Sequence, residues 1–283
     1  MHRAIDSKLA GLGMAALALA SGAAQAEVTA TFTAASNYDF RGITQNALDP
    51  ALQASVDWVG ESGLYASLWG SNIDFGQYTP DPTDVYTPPG QEPDSDPDPV
   101  NVDLDIEVDL VLGYAGSFTE NFGYDVGATY YKYLGNDDGG VNDFDYAELY
   151  SGLGYKILSA DVSHTVWYAW DFSNSGDSAW YGETNVESPL PWWDVGVTAH
   201  AGYSGGDYWT NDDNGLDSYF DWSVGLTRSF GRFDFAVKYI DGSDLKESDC
   251  SLSSVECGGR PAFSSQSTVY FGVATTFPWG KEE

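Results

Sequence analysis

Between Asp103 and Tyr114 the chain reads DLDIEVDLVLGY, with Asp103, Asp105, Glu107 and Asp109 at every second position and Leu104, Ile106, Val108, Leu110 and Leu112 between them or following. Successive side chains point to opposite faces of a strand, whereas a helix would scatter the two sets around its circumference. The segment therefore reads as a strand with an anionic face and an aliphatic face. A soluble sandwich would bury the aliphatic face in protein and leave the carboxylates in bulk water. A transmembrane barrel would turn the aliphatic face to lipid and the carboxylates to an aqueous lumen.

The ends of the chain favour the second arrangement. Residues 1–26 carry Arg3 and Lys8, the small apolar run Leu9 to Ala20, and Ala24-Gln25-Ala26, the layout of a secretory signal peptide cut before Glu27. Residues 27–283 then form a single exported domain. No segment approaches the roughly 18 consecutive apolar residues of a spanning helix, so a membrane-embedded mature chain has to be a closed barrel. Cys250 and Cys257, an even pair close together in an exported chain, read as one short disulfide loop.

Composition narrows the partners. With 11 Lys and Arg against 43 Asp and Glu, the net charge of −32 excludes nucleic acid, which is bound through clustered cations. Such an acidic chain suits either solubility in a salty medium or a field that draws cations. Disorder is excluded by an aromatic content of 15%, which together with 32 glycines is a β composition.

Alternation bounded by turn residues predicts strands at 28–41, 51–59, 63–73, 103–114, 122–133, 144–155, 158–170, 192–203, 218–229, 232–240 and 267–277. Most are long enough to cross a bilayer at a tilt, at about 9–11 residues. Their connections alternate: 60–62, 116–121, 156–157 and 230–231 are short, whereas 42–50, 74–102, 134–143 and 241–266 are long and polar. Keeping that rhythm requires a twelfth strand at 178–187, turned by Pro189-Leu190-Pro191. Both termini then fall on the short-turn, periplasmic side. Within the later strands, Val195, Val197, Ala199 and Ala201 oppose Asp194, Gly196, Thr198 and His200, and Phe220, Trp222, Val224 and Leu226 oppose Asp221, Ser223, Gly225 and Thr227. Tyr38, Trp58, Trp69, Tyr114, Tyr131, Tyr133, Trp192, Trp193, Tyr203 and Tyr219 fall near strand ends, where interfacial girdles lie. The expected fold is an all-β, antiparallel, up-and-down outer-membrane barrel of about twelve strands, with short periplasmic turns and long acidic extracellular loops.

Ser36-Asn37-Tyr38-Asp39-Phe40-Arg41-Gly42-Ile43-Thr44-Gln45, followed by Asp49-Pro50-Ala51-Leu52-Gln53, resembles the opening motif of the TorF porin family. Gly63-Leu64-Tyr65-Ala66, Trp69-Gly70-Ser71-Asn72, Gly123 to Gly127 with Tyr130-Tyr131, Glu148-Leu149-Tyr150-Ser151-Gly152 and Asp221 to Gly225 extend the likeness over nearly the whole mature chain. The resemblance implies an outer-membrane β-barrel of Gram-negative bacteria with passive transport. It brings no catalytic residues and no cofactor.

The residues expected to line the lumen are Asp103, Asp105, Glu107, Asp109, Asp194, His200 and Asp221, with Arg41 at the mouth of a long loop. Arg41 either sets a transverse field with opposing carboxylates or ties the loop down through a salt bridge. The acidic, proline-rich stretch 81–98 reads as a solvated surface loop; Asp94, Asp96 and Asp98 are calcium-ligand types, but the EF-hand glycine and terminal glutamate are missing. Catalysis would have to use His164, on the lipid side, or His200, on the lumen side. No Gly-x-Ser-x-Gly elbow accompanies either histidine. The functional expectation is a channel for small polar solutes with a preference for cations, with no metal and no cofactor. Its alternatives are a non-conducting barrel whose acidic loops bind a surface partner or cations, and an outer-membrane hydrolase. Outer-membrane lipid is the expected surrounding partner, and monomer and homo-oligomer are both open.

Overall fold

The computed structural model describes residues 26–75, 77–78, 100–101, 104–135, 144–191, 194–210, 217–243 and 267–278. Twelve strands close into one antiparallel barrel: β1 (Glu27–Ala35), β4 (Ala51–Val59), β5 (Leu64–Asn72), β8 (Leu104–Thr119), β9 (Phe122–Gly135), β10 (Tyr146–Ile157), β11 (Ala160–Ala169), β12 (Ala179–Pro189), β13 (Val195–Gly205), β14 (Tyr219–Phe230), β15 (Phe233–Ser243) and β16 (Thr268–Phe277). Each barrel strand pairs with its neighbour in sequence, and β1 pairs with β16 to close the ring. Two small hairpins stand apart from it, β2 (Asp39–Phe40) with β3 (Ile43–Thr44), and β6 (Gln77–Tyr78) with β7 (Val100–Asn101). The twelfth strand required by the loop rhythm is β12. Its span of 179–189 takes in Pro189, placed in the turn by the sequence.

The two faces of the wall divide as the alternation dictates. Leu52 is 72% exposed and Phe271 55%, while Glu107 is 2% exposed and Asp109 fully buried. An apolar surface running around the whole barrel far exceeds the few hundred Å² a soluble monomer leaves uncovered, so hydrocarbon is the medium that suits it. Aromatic residues on the outer face gather toward both ends of the strands. Trp58, Phe118, Phe230 and Phe233 lie near the short turns, and Trp170, Trp180, Tyr203 and Phe220 near the long loops. Several aromatics expected in these girdles are instead lumenal: Tyr38, Tyr131 and Tyr219 are buried, and Trp69 and Tyr133 pack against the same interior clusters. Parity decides this, because all four strand positions lie on the inward-facing side of their strands.

Three expectations need correction. The first strand ends at Ala35 rather than reaching Arg41, and the chain then turns into the barrel. A register shift between Leu104 and Ile106 inserts a bulge at Asp105. It turns Leu104 inward against Ala35, Tyr38, Ala51, Ile73 and Phe75 and leaves Asp105 exposed. The anionic face that the alternation drew through Asp105 is therefore broken above Glu107. Asp194, expected to line the lumen, occupies the exposed turn before β13 with φ +50. Residues 1–25, the acidic stretch 81–98, Asp103, Trp192, Trp193, Cys250 and Cys257 lie outside the described residues.

Candidate functional site

The site is built by the segment that carries the sequence motif. After Ala35, Ser36 bonds to the last strand twice: its N–H donates to Phe271 O (2.8 Å), and its Oγ accepts from Phe271 N (2.9 Å). Inside the barrel, Thr44 Oγ1 donates to Asn37 Oδ1 (2.6 Å), Tyr38 N donates to Asn46 Oδ1 (3.0 Å), and Gln45 N donates to Tyr38 O (2.8 Å). Asp74 N donates to Gln45 O (3.0 Å), so the returning limb is held to the end of β5. These bonds pair polar groups of a loop that has left water, with Asn37 Nδ2 buried and without a hydrogen-bond partner among the described residues. At its tip Arg41 (φ +54) and Gly42 (φ +78) form a two-residue connection between β2 and β3 with both central residues in the left-handed region, the geometry of a type I′ turn.

The tip crosses the bore. Going around the ring, β10 is five strands from β1 in one direction and seven in the other, so it lies almost opposite the root of the hairpin. Arg41 reaches it and makes a two-pronged pair with Glu148: Nη1 donates to Oε1 (2.8 Å) and Nη2 to Oε2 (2.6 Å). Tyr131 Oη donates to the same carboxylate (2.9 Å). The guanidinium lies over the rings of Tyr181 (4.5 Å), Phe40 (4.6 Å) and Trp167 (5.5 Å), within reach of cation–π attraction. Of the two roles weighed for Arg41, the tie is therefore present, but it is made across the lumen rather than at the mouth.

Two acidic clusters flank this bridge. On one side Tyr38 Oη donates to Glu107 Oε1 (3.0 Å), with Asp109 at the next inward position of the same strand. On the other side Gly42 rests against Asp221, where a side-chain carbon would lie 2.5 Å from the Asp221 Cβ. Asp221 Oδ1 meets His200 Nε2 (2.7 Å), and Tyr181 Oη donates to both Asp221 oxygens (3.2 and 3.1 Å). His200 Nδ1 faces Asn185 Oδ1 (2.8 Å) and Glu183 Oε2 (3.4 Å). Deeper in the bore Tyr65 Oη donates to Asp125 Oδ1 (2.7 Å) and meets the Tyr150 hydroxyl, the two rings covering the opposed glycines Gly113 and Gly127.

The structure thus gathers Arg41, Glu107, Asp109, His200 and Asp221 into one interior layer and leaves Asp105 and Asp194 out of it. Sequence reasoning missed Glu148, Glu183, Asp125 and Tyr181. Parity would have found Glu148, since Tyr146, Glu148 and Tyr150 alternate with Ala147 and Leu149 and are all buried. His164 is on the outer face, as read, where it contacts Tyr155 Oη (2.9 Å) and Thr184 Oγ1 (2.8 Å). Among the described hydrogen bonds neither histidine meets a serine; the side-chain hydroxyl at His164 Nδ1 is that of Thr184.

In the inserted hairpin, burial and then the neighbouring Asp221 push the Asp39 carboxyl up to about 7. Asp39 therefore gains a negative charge as the medium passes through neutrality.

The family model described as "Bacterial protein of unknown function (Gcw_chp)" matches residues 19–277. The chain belongs to that family. No curated protein matches it in sequence. Among solved structures it is similar to the KdgM porin, with 8% identity, a TM-score of 0.52 and coverage of 89% of this chain and 99% of that one. It is also similar to the NanC porin, with 11% identity, a TM-score of 0.50 and coverage of 89% and 100%. At such identities the likeness is one of fold. The Gcw_chp match spans the motif 36–45, so the family's region includes the inserted hairpin.

Proposed function

We propose that the protein is an outer-membrane channel for passive diffusion of small polar solutes, that it favours cations, and that the hairpin 39–44 sets its narrowest section. The observation that carries the reading is the carboxylate content of the lumen: Glu107, Asp109, Asp125 and Asp221 face inward in addition to Glu148, whose charge Arg41 meets. Carboxylates lining a narrow aqueous path attract cations and repel anions. Solvent reaches the interior beside β1 and β4, where Thr29, Thr31, Thr33, Gln53, Ser55 and Asp57 are only partly covered. That hydroxyl-rich space lies toward the short-turn end of the two strands; at their next inward positions, Ala35 and Ala51 are buried against Tyr38 and Leu104, so the hairpin region narrows it there. The two fold relatives described as porins, the resemblance to the TorF family and the leader-like residues 1–26 support an exported barrel of this kind.

Purified protein in a planar bilayer should give discrete conductance steps, and its reversal potential in a KCl gradient should report potassium preference. A barrel confirmed as folded that passes no current at any salt would end the channel reading; chloride preference would end only the cation part. The preference should also grow between pH 6 and pH 8 as Asp39 ionises about pH 7, and Asp39→Asn should flatten that rise. A slope that the substitution leaves unchanged would remove Asp39 from the account.

A second reading, a non-conducting barrel, has one observation in its favour. Tyr38, Tyr181, Tyr219, Glu107 and Glu148 are almost wholly buried, so the bore around Arg41 is filled. The same bilayer measurement separates the two.

A further inference from the structure

The barrel wall holds Arg41 as a binding site holds a ligand. Glu148 takes the guanidinium in two parallel bonds, Tyr131 orients that carboxylate, and Trp167 and Tyr181 cover the planar cation. All four belong to the barrel strands β9 to β12, whereas the cation comes from the hairpin. The receptor is therefore built from the wall alone, with Phe40 of the hairpin as a further ring over the cation. A two-pronged carboxylate beneath aromatic faces matches a flat guanidinium and gives a compact ammonium fewer bonds. The ligand side is held less comfortably: Arg41 sits at φ +54, a region that side-chain-bearing residues occupy at a cost.

We propose that Glu148, Tyr131, Trp167 and Tyr181 form a recognition site for guanidinium-bearing solutes, occupied at rest by Arg41 as a tethered internal ligand. A free guanidinium compound displaces Arg41, takes its place on Glu148 and releases the hairpin from the far wall. The acidic lumen concentrates such a solute at the site. The inference rests on the channel reading in one respect, that water and small solutes reach the lumen. Tethering gives Arg41 an effective concentration on the order of millimolar or more, so the intact protein binds the free compound weakly and the vacated site binds it well.

Agmatine and putrescine are suitable probes, since both are dications and differ in a guanidinium against an amine. Titrated into folded, detergent-solubilised Arg41→Ala protein and followed by calorimetry and tryptophan fluorescence, agmatine should bind saturably. Its affinity should be at least about tenfold above that of putrescine and about tenfold above that of agmatine for the unsubstituted protein. Adding Glu148→Gln should abolish the difference between the probes. A folded Arg41→Ala barrel that binds both probes alike, or that keeps its preference after Glu148→Gln, overturns the proposal. Where Arg41→Ala yields no folded barrel, Arg41→Lys takes its place: agmatine affinity above that of the unsubstituted protein supports the site, and unchanged affinity overturns it. Binding and conductance fail separately. Agmatine binding without current in either protein removes the channel and keeps the site; current without selective binding does the reverse.

Discussion

Glu148→Ala should destabilise the folded barrel by about 3–5 kcal/mol, the usual cost of removing one partner of a buried ion pair. The pair is well shielded: the Arg41 side chain is 10% exposed and that of Glu148 1%. The substitution leaves a guanidinium facing Trp167 and Tyr181 without its counter-charge and strips Tyr131 of its acceptor. Reversible urea unfolding in micelles or bilayers measures the loss. Arg41→Ala in the same background should recover part of it, because the double variant no longer buries an unpaired cation. A single variant within about 1 kcal/mol of the parent would show that the bridge is held by its surroundings rather than by charge.

Gly127→Val should prevent the barrel from assembling. Gly127 faces inward on β9 directly opposite Gly113 on β8, and the Tyr65 and Tyr150 rings lie over the pair. A Cβ at Gly127 would stand 2.4 Å from the Tyr150 hydroxyl and 2.5 Å from the Leu112 carbonyl oxygen. The tyrosine could turn aside only by giving up the Tyr65 and Asp125 cluster, and the carbonyl belongs to the sheet ladder. Overpacking of this kind costs about 1–3 kcal/mol where neighbours can move, and more where backbone must. Gly182→Ala is the matched control, because its nearest neighbour would be 3.8 Å away on the outer face. The readout is the heat-modifiable shift of a folded barrel on a gel, together with yield in outer membranes. Normal assembly of Gly127→Val would mean that the interior is looser than its packing implies.

Parity and the spacing of turns carried most of the architecture. Strand β4 falls at 51–59 in both the pattern and the structure, and β12 was demanded by the loop rhythm although its own alternation is weak. Pattern reading failed where the backbone departs from period two. The bulge at Asp105 is a local shift between partner strands, and such a shift depends on the pairing rather than on the strand's own composition. The inserted hairpin was hidden for another reason. Ser36 to Gln45 has the polar character of a surface loop, and its burial becomes affordable only because Asn37, Thr44 and Asn46 bond to one another and to the loop backbone. The glycine after Arg41 hinted at a tight turn, but nothing local tells whether a turn points outward or into a bore. Glu148 was similarly legible as an inward residue and illegible as the partner of Arg41, which is 107 residues away in sequence.

The two bonds between Ser36 and Phe271 tie the lumenal hairpin to the closure of the ring. The root of the hairpin is fastened to the final strand, so its seat is incomplete until the carboxy-terminal end of the chain has joined the first strand. Plug and seam are therefore one structure: the residues that anchor the hairpin are those at which the first and last strands meet, so a change at that seam disturbs the filling of the bore as well as the closure of its wall.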